Sequence, residues 1–192
     1  MKAPIDFYFD FSSPYGYLAS TRIDALAARH GRKVNWRPML LGVAFKATGG
    51  APLPSIPLKG EYSRRDFLRS ARFHGIPYNP PDPFPVSTVA ACRAFYSLDD
   101  TDARLNLARA LFKAYFVDGV NIGEPGNVSK IAGGLGLQPD MESQAVKDRT
   151  RAEVDAAIAK GVFGSPYIIV DGEPFWGFDR FEQIERWLRE PF

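Results

Sequence analysis

Two short runs hold the residue types that could do chemistry: Ser13-Pro14-Tyr15-Gly16 near the start and Gly164-Ser165-Pro166-Tyr167 near the end. In the first, Ser13 is a good helix N-cap, and Pro14 suits the first helical position, where no backbone N–H is needed. The segment before it, PIDFYFD over 4–10, alternates as a strand does. A strand that hands over directly to a helix start gathers free N–H groups and the positive end of the helix dipole at one point, which favours an anion. Ser13 adds a hydroxyl there. Activating that hydroxyl as a nucleophile would need a base beside it, and neither His30 nor His74 is placed by sequence to serve. Cys92 is the single cysteine, so the chain has no internal disulfide, and the run Ser13-Pro14-Tyr15-Gly16 holds no thiol with which to carry out disulfide exchange. Cysteine clusters for a metal are likewise absent, and the two histidines are isolated, so no metal site is expected. In the second run, Ser165-Pro166 leads into the apolar YIIV. A proline there either breaks the preceding helix or marks a cis bond that exposes the backbone of Ser165 to an extended ligand.

The elements that must hold these runs can be read in order. In the first strand Ile5, Phe7 and Phe9 share one face, and a buried central strand fits the same residues. One helix is expected from Ser13 to Gly31, with Leu18, Ile23, Leu26 and Ala27 as its apolar stripe. VNWRPMLLG reads as a second strand, with Pro38 placing it at an edge or a strand end. A short β–α–β crossover makes that pair parallel. Residues 46–60 are rich in Gly and Pro and read as a loop, of a length that is often functional. Helices are expected near 61–74, 87–98, 102–117, 124–135, 141–147 and 150–160, interrupted by the proline-rich IPYNPPDPFPV. SPYIIVDGEPFWG then reads as a hairpin turning at Asp171-Gly172, and a last helix carries Phe181, Ile184, Trp187 and Leu188 on one face.

The bulk numbers narrow the class. A chain of 192 residues with 45% apolar content can form a full core. Its net charge of +2 is too small to point to nucleic acid or an anionic membrane, and the arginines at 64, 65, 69 and 72 are interleaved with acids as on a solvated helix face. No apolar stretch approaches the roughly 18 residues of a membrane span, and MKAPIDFYFDF lacks the apolar core of an export signal. A cytoplasmic protein is expected.

Without its helical middle, the order β–α–β, β–β–α is that of the thioredoxin fold. The fold class is therefore α/β, thioredoxin-like, with an all-helical insertion: residues 1–45 and 161–192 form the thioredoxin-like part and 46–160 the inserted helical domain. In such folds the strand–helix junction usually carries two cysteines, the first held as thiolate. Here a hydroxyl and a helix end remain, and a thiolate supplied from outside is the natural ligand. A free thiol with a pKa of about 8.5 is only a few per cent ionised near neutrality. One charge-assisted hydrogen bond of about 1.5–3 kcal/mol, with a helix-end term of about 0.3–1, is enough to make thiolate the main form.

DFYFDFSSPYGYLAS, NWRPMLLG, the Lys59-Gly60-x-Tyr62 group and VFGSPYIIVDGEPFWGFDRFEQI together resemble 2-hydroxychromene-2-carboxylate isomerases, which group with the kappa-class glutathione transferases and the DsbA-like oxidoreductases. The resemblance runs from about residue 4 to residue 189. It implies reduced glutathione as cofactor, with Ser13 bonded to its sulfur and serving catalysis. It also implies pairing of the Ser165 backbone, before the cis-proline Pro166, with the cysteinyl unit. Asp179 would hold the γ-glutamyl amine, the Phe178 backbone N–H its carboxylate, and Lys59 would lie near the glycyl end. Where the family often has Asn this chain has Thr48-Gly49-Gly50-Ala51, and where it usually has a polar residue before the acid this chain has Phe178.

The activity so implied is isomerisation of 2-hydroxychromene-2-carboxylate to trans-o-hydroxybenzylidenepyruvate in aromatic catabolism. Its alternatives are a kappa-type transferase or peroxidase acting on electrophiles, and a non-catalytic peptide-binding module. A small aromatic carboxylate substrate calls for an apolar wall and a cation, for which Tyr15, Phe45, Trp176 and the proline-rich loop, and Lys46, Lys59 or Arg37, are the candidates. The resemblance also implies a homodimer. Trp36, Trp187 and Cys92 are expected in the core.

Overall fold

The computed structural model of the chain describes residues 3–192; Met1 and Lys2, part of the expected 1–45 segment, lie outside the described residues. The centre of the fold is strand β1 (Ile5–Phe9), flanked by β2 (Val34–Pro38) on one side and by β3 (Tyr167–Val170) and β4 (Glu173–Trp176) on the other, in the order β2-β1-β3-β4. β1 and β2 run parallel with Phe7 opposite Trp36; β3 is antiparallel to β1 with Ile168 opposite Phe7, and β4 pairs antiparallel with β3. Ile5, Phe7, Tyr8 and Phe9 are all buried, as a strand covered on both faces requires. Pro38 ends the edge strand β2, where a missing N–H costs no ladder bond. The β3–β4 hairpin turns through Asp171 and Gly172, both at positive φ, as a two-residue hairpin loop demands.

On one face of the sheet lie α1 (Pro14–Ser20), α2 (Ile23–Arg29) and α9 (Phe181–Arg189). The single helix expected from Ser13 to Gly31 is two. The Ser20 and Thr21 hydroxyls bond back to the carbonyls of Tyr17 and Leu18, which gives the backbone an alternative to continuing the helix.

Between β2 and β3 come α3 (Leu41–Thr48), α4 (Lys59–Phe73), α5 (Val89–Ser97), α6 (Thr101–Phe116), α7 (Pro125–Gly134) and α8 (Gln144–Ala159). Two expectations are corrected here. Leu41–Thr48, read partly as strand and partly as loop, is a helix closed by Gly49 at positive φ, and a 3-10 turn over Leu53–Ser55 follows. The pair of helices expected at 141–147 and 150–160 is the single helix α8, capped by the Ser143 hydroxyl; its first turn is stitched by Gln144 to Asp148. The main apolar cluster crosses from the sheet into these helices: Phe9 meets Phe11 at 5.1 Å and Phe112 of α6 at 5.2 Å. Each such buried ring is worth about 1.5–3 kcal/mol over leaving it in water. Cys92 and Trp36 belong to this cluster, and Trp187 packs against it.

Candidate active site

Ser13 sits between β1 and α1 in an extended conformation, 6% exposed, and caps α1 by accepting the Gly16 N–H at 3.0 Å. Its own proton goes to the carbonyl oxygen of Ser165 at 3.1 Å. Ser165 precedes Pro166 through a cis peptide bond, and its hydroxyl accepts the Asp10 N–H at 3.0 Å. The two runs singled out in the sequence, 152 residues apart, therefore meet atom to atom. Gly16 keeps the junction open, because a Cβ there would come within 2.7 Å of Ser165 Oγ and 3.1 Å of Ser13 Cβ. Gly177 N–H donates to the Pro166 carbonyl at 3.1 Å, which draws the Phe178–Asp179 turn alongside the same segment. Asp179 is exposed, with Arg180 at 3.6 Å, whereas the Phe178 ring is buried against His74.

Beneath this junction lies Asp10, a residue with no role in the sequence reading. It is 5% exposed, and its carboxylate accepts from Ser12 N–H (2.8 Å), the Thr88 hydroxyl (3.0 Å) and Leu41 N–H (2.8 Å). Burial pushes its pKa up, against the pull of those three donors. Asp10 thus fixes the start of α3, the helix that carries half-buried Phe45 and exposed Lys46, to the strand end beneath Ser13. The proline-rich segment joins from another side, where Val86 N–H donates to Ser12 Oγ at 3.2 Å.

Helix α4 forms the remaining wall. The Tyr15 hydroxyl donates to Asp66, its ring meets Phe67 at 4.9 Å, and Arg22 bonds His74 Nδ1 at 2.6 Å. These contacts lay α4 beside α1–α2 in the same direction. Tyr15 is the second residue of α1 and Asp66 the eighth of α4, so about 10 Å of α4, at 1.5 Å per residue, runs on past the helix end where Ser13 lies. Lys59 and Tyr62 lie on that overhang, on the same stripe as Asp66. Its root is pinned by Gly60, where a Cβ would fall 2.4 Å from the Pro54 carbonyl oxygen. Burial would raise the Asp66 pKa, but hydrogen bonds from Tyr15 and Arg69 outweigh it and hold the carboxyl below its ordinary value. Burial and the Asp66 charge push the Tyr15 phenol far up, so it stays protonated.

Of the expected site residues, the structure gathers Ser13, Tyr15, Ser165 and Pro166 directly, and joins Phe178–Asp179, Lys59 and the α3 pair Phe45 and Lys46 through the links above. Arg37 is not among them: its guanidinium is taken by Asp6 at 2.9 Å and Glu153 at 3.5 Å. Trp176 lies over Gly164, where a Cβ would meet its indole nitrogen at 2.2 Å, and its ring stacks edge-on against Phe163. A hollow of about 510 Å³ between α1, α2 and α6 contains none of these groups, and its Asp24 and Arg109 are paired at 2.8 Å. Among the described residues no cluster of three metal-ligating side chains occurs, and no helix is long and apolar enough to cross a membrane.

A family model described as a DsbA-like thioredoxin domain matches residues 4–189. The chain belongs to the DsbA-like thioredoxin family. Within it, the chain is 30% identical to a 2-hydroxychromene-2-carboxylate isomerase of Sphingobium xenophagum over 195 residues, covering 98% of this chain and 99% of that one. It is 28% identical to glutathione S-transferase kappa 2 of Caenorhabditis elegans, over 98% and 92% of the two chains. A solved structure of a 2-hydroxychromene-2-carboxylate isomerase superposes with a TM-score of 0.85 at 27% identity, over 95% of this chain and 92% of that one. This family member thus has isomerases and glutathione transferases as full-length relatives and a serine where a thiol-exchange enzyme needs sulfur.

Proposed function

We propose that the chain is a glutathione-dependent isomerase of small aromatic carboxylates, with 2-hydroxychromene-2-carboxylate or a close analogue as substrate. The observation that carries the reading is the junction of Ser13 Oγ with the Ser165 carbonyl at the head of α1, kept open by Gly16. One hydroxyl donor, one backbone acceptor and a helix start suit a cysteinyl unit whose sulfur is ionised. Ser13 holds the sulfur and Ser165, before Pro166, pairs with the cysteinyl backbone. Asp179 and the Phe178 N–H take the γ-glutamyl end, and Lys59 the glycyl carboxylate.

Bound reduced glutathione would supply a thiolate nucleophile for reversible addition to the conjugated double bond, the chemistry that cis–trans isomerisation needs. The chain's own residues do the rest. Ser13 donates to the sulfur and raises its ionised fraction. Tyr15, its proton committed to Asp66, offers an apolar ring and no acid. Phe45 adds to the wall, and with Arg37 engaged and Lys59 given to the glycyl end, Lys46 is the cation left for the substrate carboxylate. The kappa-type relatives favour a second reading, conjugation or reduction of an electrophile at the same site.

The test is isomerisation of 2-hydroxychromene-2-carboxylate followed by absorbance, with and without reduced glutathione, for wild type and Ser13→Ala. Turnover that requires glutathione and collapses in Ser13→Ala is the expected result. Consumption of glutathione without isomerisation replaces it with the transferase reading, and neither signal removes both.

A further inference from the structure

Tyr62 stands on the overhang of α4, on the stripe that carries Asp66, and 62% of its surface is open. Its hydroxyl oxygen accepts a hydrogen bond from Arg69 Nη2 at 3.0 Å, and the guanidinium carbon lies 5.4 Å from its ring centre. Arg69 is held in turn by Asp66, which accepts the Tyr15 proton. Four side chains therefore form one line, Tyr15 to Asp66, Asp66 to Arg69, Arg69 to Tyr62, running from the first turn of α1 onto the overhang of α4. At its end the polarity is defined. The Tyr62 oxygen is an acceptor already used, and among the described residues no group takes its proton. A phenol whose oxygen is bonded to a guanidinium is a stronger donor than a free one.

We propose that Tyr62 is a further catalytic residue, donating a hydrogen bond to the substrate oxygen that gathers negative charge when the double bond is attacked. The inference rests on the isomerase reading: opening the hemiketal breaks its carbon–ring oxygen bond, the ring oxygen takes the proton of the hemiketal hydroxyl, and the oxygen left on that carbon is the keto oxygen beside the carboxylate. In the attack on the double bond no proton leaves Tyr62. The Tyr62 O–H bond stays intact, and its hydrogen bond strengthens as charge arrives and weakens as it leaves, which is how a fixed donor lowers a barrier without lowering the ground state equally. Arg69 is the positioning residue: it touches Tyr62, and it fixes both the direction and the strength of the donor. Lys59, one turn earlier on the same stripe, leaves room for the substrate carboxylate on the same side.

The variant is Tyr62→Phe, which removes one exposed oxygen. The expected result is a fall of roughly 100-fold in kcat/KM, with wild-type affinity for glutathione and a wild-type thiolate band. Independently of turnover, the complex with S-methylglutathione should bind trans-o-hydroxybenzylidenepyruvate about 10-fold more weakly in Tyr62→Phe, read from the absorbance change of the ligand. Arg69→Gln should give part of the same loss, and the double variant no more than Tyr62→Phe alone. Wild-type turnover and wild-type product affinity in Tyr62→Phe overturn the proposal while leaving the isomerase standing. Absence of a glutathione thiolate in the wild type instead removes the reading beneath it.

Discussion

The Ser13 hydroxyl gives its single proton to the Ser165 carbonyl at 3.1 Å, across 152 residues of chain. The donor expected to serve a bound sulfur is already committed to the acceptor expected to serve the same ligand's amide. On the proposed reading, binding exchanges them: the ligand N–H would take the Ser165 oxygen, and the Ser13 proton would turn to the sulfur. What would ionise the thiol is then the difference between a charged and a neutral acceptor, about 1 kcal/mol, rather than a whole hydrogen bond.

Ser13→Ala should raise the pKa of bound glutathione by about one unit, followed as ultraviolet thiolate absorbance against pH. It should also cost about 1 kcal/mol of stability, because the Gly16 N–H loses its cap. An unchanged thiol pKa would remove Ser13 from the sulfur.

Gly16→Ala places a methyl 2.7 Å from Ser165 Oγ, so the serine must turn and release the Asp10 N–H. Glutathione affinity by calorimetry should fall about 10-fold or more, one broken hydrogen bond with its geometry. Wild-type affinity would mean that the Ser165 segment is not a ligand contact.

Asp66 supplies a pH test with a definite sign. Its folded pKa lies below the unfolded value near 3.9, so its contribution to stability is complete above that value and lost as the pH falls through the folded one. Asp66→Asn should therefore be less stable than wild type by about 1–2 kcal/mol at neutral pH, and the gap should close in acid. Denaturant unfolding at a series of pH values checks it. A gap that persists to pH 2 would show that charge plays no part.

Leu58, immediately before α4, has φ 66 and ψ −49, and the Lys59 N–H bonds the Pro57 carbonyl across it at 2.8 Å, the geometry of a γ-turn. With 92% of its side chain in water, it gains nothing from burial to offset that strain. Leu58→Gly should leave the protein as stable or up to about 1 kcal/mol more stable by thermal unfolding, while Leu58→Ala keeps the strain. A lower melting temperature in the glycine variant would assign the leucine side chain a contact of its own.

What was legible in the sequence was local. Alternation in PIDFYFD, the Ser13-Pro14 cap and the Asp171-Gly172 turn each state their geometry within a few residues, and the two ends of the chain fall into the right order from them. Two errors were also local: the helix break rests on hydroxyls at Ser20 and Thr21, and α3 hides between Pro38 and Gly49 because punctuation on both sides resembles a loop. Asp10 and the Tyr15–Asp66–Arg69–Tyr62 line were not legible at all. A carboxylate just past the end of a strand looks like the solvated member of an alternating pattern until Thr88 and Leu41 are seen closing on it, and the α4 arginines look like a solvated face until Tyr15 meets Asp66.

The place of β1 in the sheet has a consequence for how the chain is made. Its partner β2 leaves the ribosome within thirty residues, but β3, which covers its other edge, follows only after the whole helical stretch. While the helical stretch between β2 and β3 is being made, the central strand is thus an open edge of alternating aromatics, with Phe9 and Phe11 able to find Phe112 of α6 before the sheet is complete. The last thirty residues are the closing piece: when Tyr167–Val170 slots against β1, the edge disappears, and the Ser165 carbonyl arrives at Ser13 in the same movement. A nascent chain cannot form the Ser13–Ser165 junction before it has covered the open edge of β1.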